Sequence, residues 1–273
     1  MEYINGEGFS ISHTVTKAPK DDDFELHIHE SYELLCVVRG CVSYIVEGHK
    51  YKLSEGALML MRSSETHKLV VEKSTEYERY VLNFSPSLVS KIGLSRELLS
   101  PFKEREIGEK NLYLAEEFKY LPPAVYFERA FSDKKSLSEN DVIISLLSSL
   151  LCEIKRAFDN KEEFTTRKRS VSEKIISYIN DNLKNDITIE KIANSLHISK
   201  TQVSREFKGA VGASVYDYVL TKRLILFNKR LGKEKNIQKL SQECGFHDYS
   251  SFYRLYKKRF GISPTSSIKN KSN

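Results

Sequence analysis

Four side chains near the start of the chain have the chemistry to hold a cation or a polar ligand. These are His27, His29 and Glu33, followed at a distance by His67. Imidazoles and a carboxylate suit divalent transition metals, and the same groups donate and accept hydrogen bonds to a polar molecule. Positions 27, 29 and 33 share parity, so on one extended strand they point the same way, together with Leu35 and Val37. A later strand run ends near His67, which brings three imidazoles and a carboxylate towards the inside of a small barrel. Tyr44, Met59 and Met61 are further candidates for the pocket wall, with plain core as the competing use.

A second set of polar groups lies near the other end and occurs twice. Ile189, Ile192, Ala193 and Leu196 recur 48 positions on as Ile237, Leu240, Ser241 and Cys244. Val203, Arg205, Phe207, Lys208, Gly212 and Ser214 recur 49 positions on as Phe252, Arg254, Tyr256, Lys257, Gly261 and Ser263. The spacing predicts helix, tight turn, helix in each unit, with the longer turn in the second. Ser199 stands where a helix N-cap is wanted, and Asp248 takes that place in the second copy. Val203, Phe207 and Val211 then face a core, as do Phe252, Tyr256 and Phe260. That leaves Lys200, Thr201, Ser204, Arg205 and Lys208 outward, and Tyr249, Ser250, Tyr253, Arg254 and Lys257 in the second copy. Hydroxyl, guanidinium and ammonium groups on one helix face suit base edges and phosphates. One such face is an ordinary solvated surface; the same roles at the same positions in two copies predict a pair of DNA-reading helices.

The elements that must position these groups fall into two blocks. Residues 24–84 have strand character: Leu34–Val38, Val42–Val46 and Ala57–Met61 are apolar runs separated by Arg39-Gly40, Glu47-Gly48 and Glu55-Gly56. Short strands with glycine-marked turns predict a small antiparallel barrel or jelly roll. Helices are expected over 86–99, 111–120 and 137–158. The last carries Ile143, Leu147, Leu150 and Ile154 at coiled-coil spacing, which predicts a homodimer through helix 137–158; the same stripe would serve to pack the helix on its own barrel. The polar stretch 161–170 reads as a linker. From 171 to 273 everything reads as helical, with 214–231 connecting the two repeats.

Charge follows the same division. Residues 167–273 hold 22 Lys+Arg against 9 Asp+Glu, and the remainder holds 21 against 28, so a net charge of +6 conceals an acidic front and a basic back. A polyanion partner is expected for the back alone. The four cysteines, Cys36, Cys41, Cys152 and Cys244, form no C-x-x-C pair and read as reduced thiols of a cytoplasmic protein. The opening residues are polar and do not read as a signal peptide. The longest apolar run, Val142–Cys152, is too short to span a bilayer, so no membrane role is expected. Gly40, Gly48 and Gly56 are single turn residues rather than a nucleotide-binding loop.

The second repeat, Ile237-x-x-Leu240-Ser241-x-x-x-Gly245-Phe246 with Ser251-Phe252-x-Arg254-x-Tyr256-Lys257-Lys258-x-Phe260-Gly261-x-x-Pro264, resembles the signature of AraC-type transcription regulators. The first repeat resembles that family's first helix-turn-helix, from Ala193 through Ser199, Arg205, Phe207-Lys208, Gly212 and Tyr218 to Arg223. The resemblance covers about residues 171–268. It implies binding of double-stranded promoter DNA, with base-reading places at Thr201, Ser204 and Arg205, then Tyr249, Ser250, Tyr253 and Arg254. Ser241 replaces a usual alanine, Leu226-Phe227 a usual Arg-Ala pair, and Ser267-Ile268 a common Tyr-Arg. His27 to Leu34 resembles the first motif of a cupin sensor, while Arg62 and Ser64 depart from the second. The resemblance implies a small-molecule pocket with no metal and no cofactor.

The expected chain is therefore α+β: a cupin-like barrel with trailing helices over 1–160, a linker over 161–170, and an all-α tandem helix-turn-helix domain over 171–273. Its expected role is transcription regulation in answer to a small-molecule effector, with contacts to RNA polymerase and no enzymic activity. The effector pocket is assigned to His27, His29, Glu33, Tyr44, Met59, Met61 and His67, and the polar arm before Asp21, with Phe9 and Ile11, is expected to close over it. The alternative is a metal-dependent cupin enzyme tethered to a DNA-binding module.

Overall fold

Apolar runs punctuated by turn residues form nine strands among the described residues: β1 (Glu2–Gly6), β2 (Phe9–Thr16), β3 (Tyr32–Arg39), β4 (Val42–Val46), β5 (His49–Leu53), β6 (Leu58–Met61), β7 (His67–Val70), β8 (Tyr77–Phe84) and β9 (Leu112–Tyr113). The structure is a computed structural model. It describes all residues except 21–23, 25, 64, 72–74, 162–169, 233, 235 and 273, and of 269–272 only the backbone. The chain divides into two compact units, Met1–Lys168 and Arg169–Asn273. The expected linker, apart from its two ends, lies outside the described residues.

In the first unit, six strands run in the order β1-β2-β8-β3-β6-β9 and three in the order β5-β4-β7. Strand β3 is buried on both sides, which is why its sequence is apolar without alternation. Its Leu35 and Val37 face an interior shared with Val42, Tyr44, Leu53, Met59, Met61, Leu69 and Tyr77, drawn from both sheets. Its Leu34 and Cys36 face the other way, into a cluster with Phe127, Leu146, Leu147 and Leu150. The barrel interior and the helix-covered face are thus two separate cores on either side of one strand.

The sequence expectation needs correction at four places here. Residues 2–16 are no arm over a pocket: β2 pairs with β8 along its whole length, and Phe9 and Ile11 are buried in the helix-side core. The helix expected over 86–99 is α1 (Pro86–Lys91), a 3₁₀ turn over Arg96–Leu99 and α2 (Ser100–Lys103). Gly93 stops the first, and Ser95 caps the turn by accepting from the Glu97 amide. The helix expected over 111–120 is instead β9 and a 3₁₀ turn, because Leu112 and Tyr113 pair with Met59 and Leu58 of β6. Long-range pairing overrides local propensity at that segment.

The fourth correction concerns the expected dimer seam. Helices α3 (Pro123–Asp133) and α4 (Glu139–Asp159) cover the large sheet. Ile143, Leu147, Leu150 and Ile154 are at most 1% exposed, and the neighbouring Val142 and Leu146 are buried beside them. All of these side chains belong to this unit's own core, so the stripe packs α4 on the barrel. The outward face carries Ile144, Ser148, Cys152 and Lys155.

The described elements of the second unit are helices: α5 (Val171–Asp181), α6 (Ile189–Leu196), α7 (Lys200–Val211), α8 (Val215–Arg230), α9 (Ile237–Glu243), α10 (Tyr249–Phe260) and α11 (Pro264–Ser272), with one isolated bridge between Leu231 and Glu234. Each start is marked by a polar residue that satisfies free amides: Ser170 with Glu173 in a reciprocal box, Thr188, Ser214 and Asn236. Among the described residues no helix is long and apolar enough to cross a membrane.

Candidate functional site

Helices α7 and α10 are built to the same plan. The Ser199 side chain accepts from the Gln202 amide at 3.1 Å. Asp248 accepts from the Ser250 and Ser251 amides at 3.3 and 2.7 Å. Both helices end in a left-handed glycine, Gly212 and Gly261. Val203, Phe207, Val211, Phe252 and Tyr256 are fully buried; Phe260 is half-buried against the core that holds Phe252 and Tyr256. The turns also correspond. His197 and Gly245 hold the same place after the first helix, and both have positive φ, 55° and 92°. The one-residue difference between the repeats is His247, inserted just before the second cap.

The outward residues match expectation with two exceptions. Lys200, Thr201, Ser204, Arg205 and Lys208 are exposed, as are Ser250, Arg254 and Lys257. Tyr249 and Tyr253 are only half-exposed and lean on the core beside Phe252. Each aromatic ring packs on apolar neighbours and stays partly open to solvent, a common compromise for tyrosine at a surface. The basic groups are held only loosely: Lys200 pairs with Glu190 at 2.7 Å and Arg205 with Glu206 at 2.8 Å, all on exposed side chains. Arg254 rests 3.4 Å from Ser251 Oγ. Exposed pairs of this kind contribute roughly 0–1 kcal/mol, so a phosphate or a guanine edge can displace them.

The departures from the expected pattern are absorbed by packing. Phe227 is fully buried and lies 4.6 Å from the Phe252 ring and 5.5 Å from the Tyr256 ring. The Ser241 hydroxyl donates to the Gln238 carbonyl at 2.7 Å. The Tyr256 hydroxyl donates to Asn228 Oδ1 at 2.7 Å and lies 2.9 Å from Ser267 Oγ, so Ser267 takes part in a buried polar link to the connecting helix.

In the barrel, the four candidate ligands do meet, although not on a single strand. His27 forms an isolated antiparallel bridge with His67, with both backbone hydrogen bonds at 3.0 Å. The chain bends at Glu30 and Ser31 before β3 starts at Tyr32, and Glu33 points inward from that strand. One ligating atom from each of His27, His29, Glu33 and His67 lies within 4.8 Å of all the others. His29 Nε2 is 3.0 Å from Glu33 Oε2, and His67 Nε2 is 3.8 Å from Glu33 Oε1. The His27 and His67 ring centroids are 4.1 Å apart, and those of His29 and His67 5.0 Å. Tyr44, Met59 and Met61 are buried in the interior core below.

Hydrogen bonds orient the rings. His67 Nδ1 donates to the Glu65 carbonyl at 2.9 Å, and His29 Nδ1 to the Ser31 carbonyl at 3.0 Å. Burial opposes the charge on Glu33, yet the His29 hydrogen bond and the neighbouring imidazoles outweigh it and hold its pKa down to about 2. Burial drives His67 down to about 3 despite the proximity of Glu33, so this ring is neutral and its Nε2 carries a lone pair. For His29, burial is outweighed by Glu33 and the Ser31 carbonyl, and the pKa rises.

A layer behind the rings was not legible in the sequence. Glu65 is buried and paired with the buried Arg105 through both oxygens, at 2.7 Å each. It also accepts from the Gly108 amide at 3.0 Å and from Asn111 Nδ2 at 3.1 Å. Arg105 and Asn111 sit in a polar stretch with no periodicity, so only their distant partner marks them. Bidentate pairing of this kind fixes geometry as well as charge, and here it fixes the carbonyl that orients His67.

Residues 192–270 match a family of helix-turn-helix domains, and residues 14–132 match the family described as AraC-like ligand binding domain. The HTH-type transcriptional regulator YdeC of Bacillus subtilis is 22% identical over 256 residues, covering 88% of this chain and 84% of that protein. The HTH-type transcriptional activator RhaS of Mannheimia succiniciproducens is 22% identical, covering 91% of this chain and 90% of its own length. Among solved structures, ToxT from Vibrio cholerae covers 96% of this chain and 98% of its own at 14% identity, with a TM-score of 0.41. With a ligand-binding barrel ahead of a paired helix-turn-helix, the chain belongs to the AraC family of transcription regulators.

Proposed function

We propose that α7 and α10 read bases in successive major grooves of promoter DNA, through Thr201, Ser204 and Arg205 in one and Tyr249, Ser250, Tyr253 and Arg254 in the other. Lys200, Lys208 and Lys257 hold the phosphates. The observation that carries this is the equivalence of Arg205 and Arg254, 49 positions apart, each exposed on the second turn after a capped start. A guanidinium there suits the two acceptors of a guanine edge, and the basic balance of this unit supplies the sequence-independent attraction. The barrel acts as the sensor: a bound small molecule shifts the population of states that differ in DNA affinity. The chain acts in the cytoplasm and catalyses no reaction. RNA polymerase is its expected protein partner. Pairing of two chains belongs to the same reading, with the solvent face of α4 as the surface left for it.

Selection of binding sites from random oligonucleotides by the full chain tests this proposal. Enrichment of a bipartite site with its halves about 10 base pairs apart, one turn of duplex, is the expected result. Failure to enrich any motif over bulk competitor at moderate ionic strength overturns it.

A further inference from the structure

We propose that His27, His29, Glu33 and His67 bind one divalent transition-metal cation at the mouth of the barrel, so that this regulator carries a metal centre in its sensor unit. The donor set is three imidazoles and one carboxylate, with one atom from each inside a common span of 4.8 Å. Metal–nitrogen and metal–oxygen bonds of about 2.0–2.2 Å around a tetrahedral ion put ligand atoms about 3.4 Å apart. The observed 3.0 Å and 3.8 Å from Glu33 to His29 and His67 bracket that value.

The second observation is His67 itself. Its side chain is fully buried, and among the described residues Nε2 has no hydrogen-bond partner. Because Nδ1 donates to the Glu65 carbonyl, the unpartnered atom is a lone pair directed at Glu33 and the other rings. A plain hydrogen-bonded cluster accounts for the His29–Glu33 contact but leaves this acceptor buried without a donor, an arrangement folded proteins avoid. A cation satisfies it. The supporting layer is of the kind that orients ligating histidines: a backbone carbonyl behind His67, whose residue is clamped by Arg105, and the Ser31 carbonyl behind His29. Imidazole-rich sets favour Zn²⁺, Ni²⁺, Co²⁺ or Fe²⁺ over Mg²⁺ and Ca²⁺, which prefer all-oxygen cages. The partly exposed His27 and His29 give the cation a path from solvent.

The test uses the full-length chain stripped by chelator, titrated calorimetrically with Zn²⁺ and followed by visible absorption with Co²⁺. One equivalent per chain is expected, with the absorption bands of a four- or five-coordinate Co²⁺ and no binding of Mg²⁺ at the same concentration. His29→Gln and Glu33→Gln should each weaken binding at least 10-fold, while His13→Gln, remote from the cluster, should leave it unchanged. Circular dichroism establishes that each variant is folded; His29 is half-exposed, so its variant serves if Glu33→Gln does not fold. Binding well below one equivalent in the wild type, or equal binding in wild type and His29→Gln, overturns the proposal. No DNA enters these measurements, so their failure is distinct from failure of the promoter-binding reading.

Discussion

Gly245 and Arg223 lie in direct contact, and through them the two helix-turn-helix units are joined. A Cβ at position 245 would stand 2.6 Å from Arg223 Nε and 3.0 Å from the Leu183 carbonyl oxygen. Arg223, on the connecting helix, donates to the carbonyls of Leu183 and Asn185 at 2.9 and 2.6 Å. The turn of the second unit is therefore seated on an arginine that ties α8 to the loop ahead of α6. Gly245→Ala both adds that clash and places a side chain at φ 92°. It should destabilise the helical unit by about 1–3 kcal/mol, measured by urea unfolding. At the equivalent place in the first repeat, where His197 already has φ 55°, His197→Gly should be neutral or stabilising by up to about 1 kcal/mol.

Arg205→Ala and Arg254→Ala should each cost about 1–3 kcal/mol in binding to the selected site and relax preference at a different half of it. Lys208→Ala should weaken binding to all sequences alike and lower the slope of log affinity against log salt by about one unit. Fluorescence anisotropy with site variants across a salt series separates the two behaviours. An arginine variant that keeps full sequence preference refutes the base-reading role of that residue.

Glu65→Gln leaves the buried Arg105 without its charge partner. Breaking one side of a buried pair costs about 3–5 kcal/mol, so the barrel unit should show a clear loss in chemical unfolding. The Arg105 pair and the amide donors outweigh burial and hold the Glu65 pKa down to about 2, against an ordinary 4.5. Because the folded value is the lower one, its stabilisation is fully present above pH 4.5 and drains away as pH falls towards 2. The wild type should therefore lose stability more steeply than Glu65→Gln across that window.

Phe227→Ala should cost about 3–5 kcal/mol, because the ring is fully buried between Phe252 and Tyr256. The loss should appear in thermal unfolding, and promoter binding should weaken through α10 while α7 keeps its contacts.

The helical unit was legible because its information is local. Apolar steps of three and four, a cap before each helix and a glycine after it specify α7 and α10 without reference to distant residues, and duplication states the pattern twice. Phe227, an apparent misfit, needed the structure, since its fit depends on the facing Phe252. In the barrel unit, strands β3, β4 and β6 were legible from apolar runs, but β1 and β2 resembled a polar arm because only one face of each is buried. The α4 stripe was readable as a stripe, yet two partners satisfy it equally, and only the position of the sheet chooses between them.

Residue types and spacing alone determined that this chain has a basic, twice-repeated DNA-reading module and a histidine-bearing barrel ahead of it. Tertiary structure decided which way α4 faces, which segments join the sheets, and that His27 meets His67 across a bridge while Arg105 reaches Glu65. Those outcomes rest on long-range contacts: His27 meets His67 and Arg105 meets Glu65 across 40 positions, and Phe9 pairs with Phe84 across 75. Such pairings leave no periodic trace in a sequence, because their free energy comes from desolvation and geometry that exist only once both strands are in place.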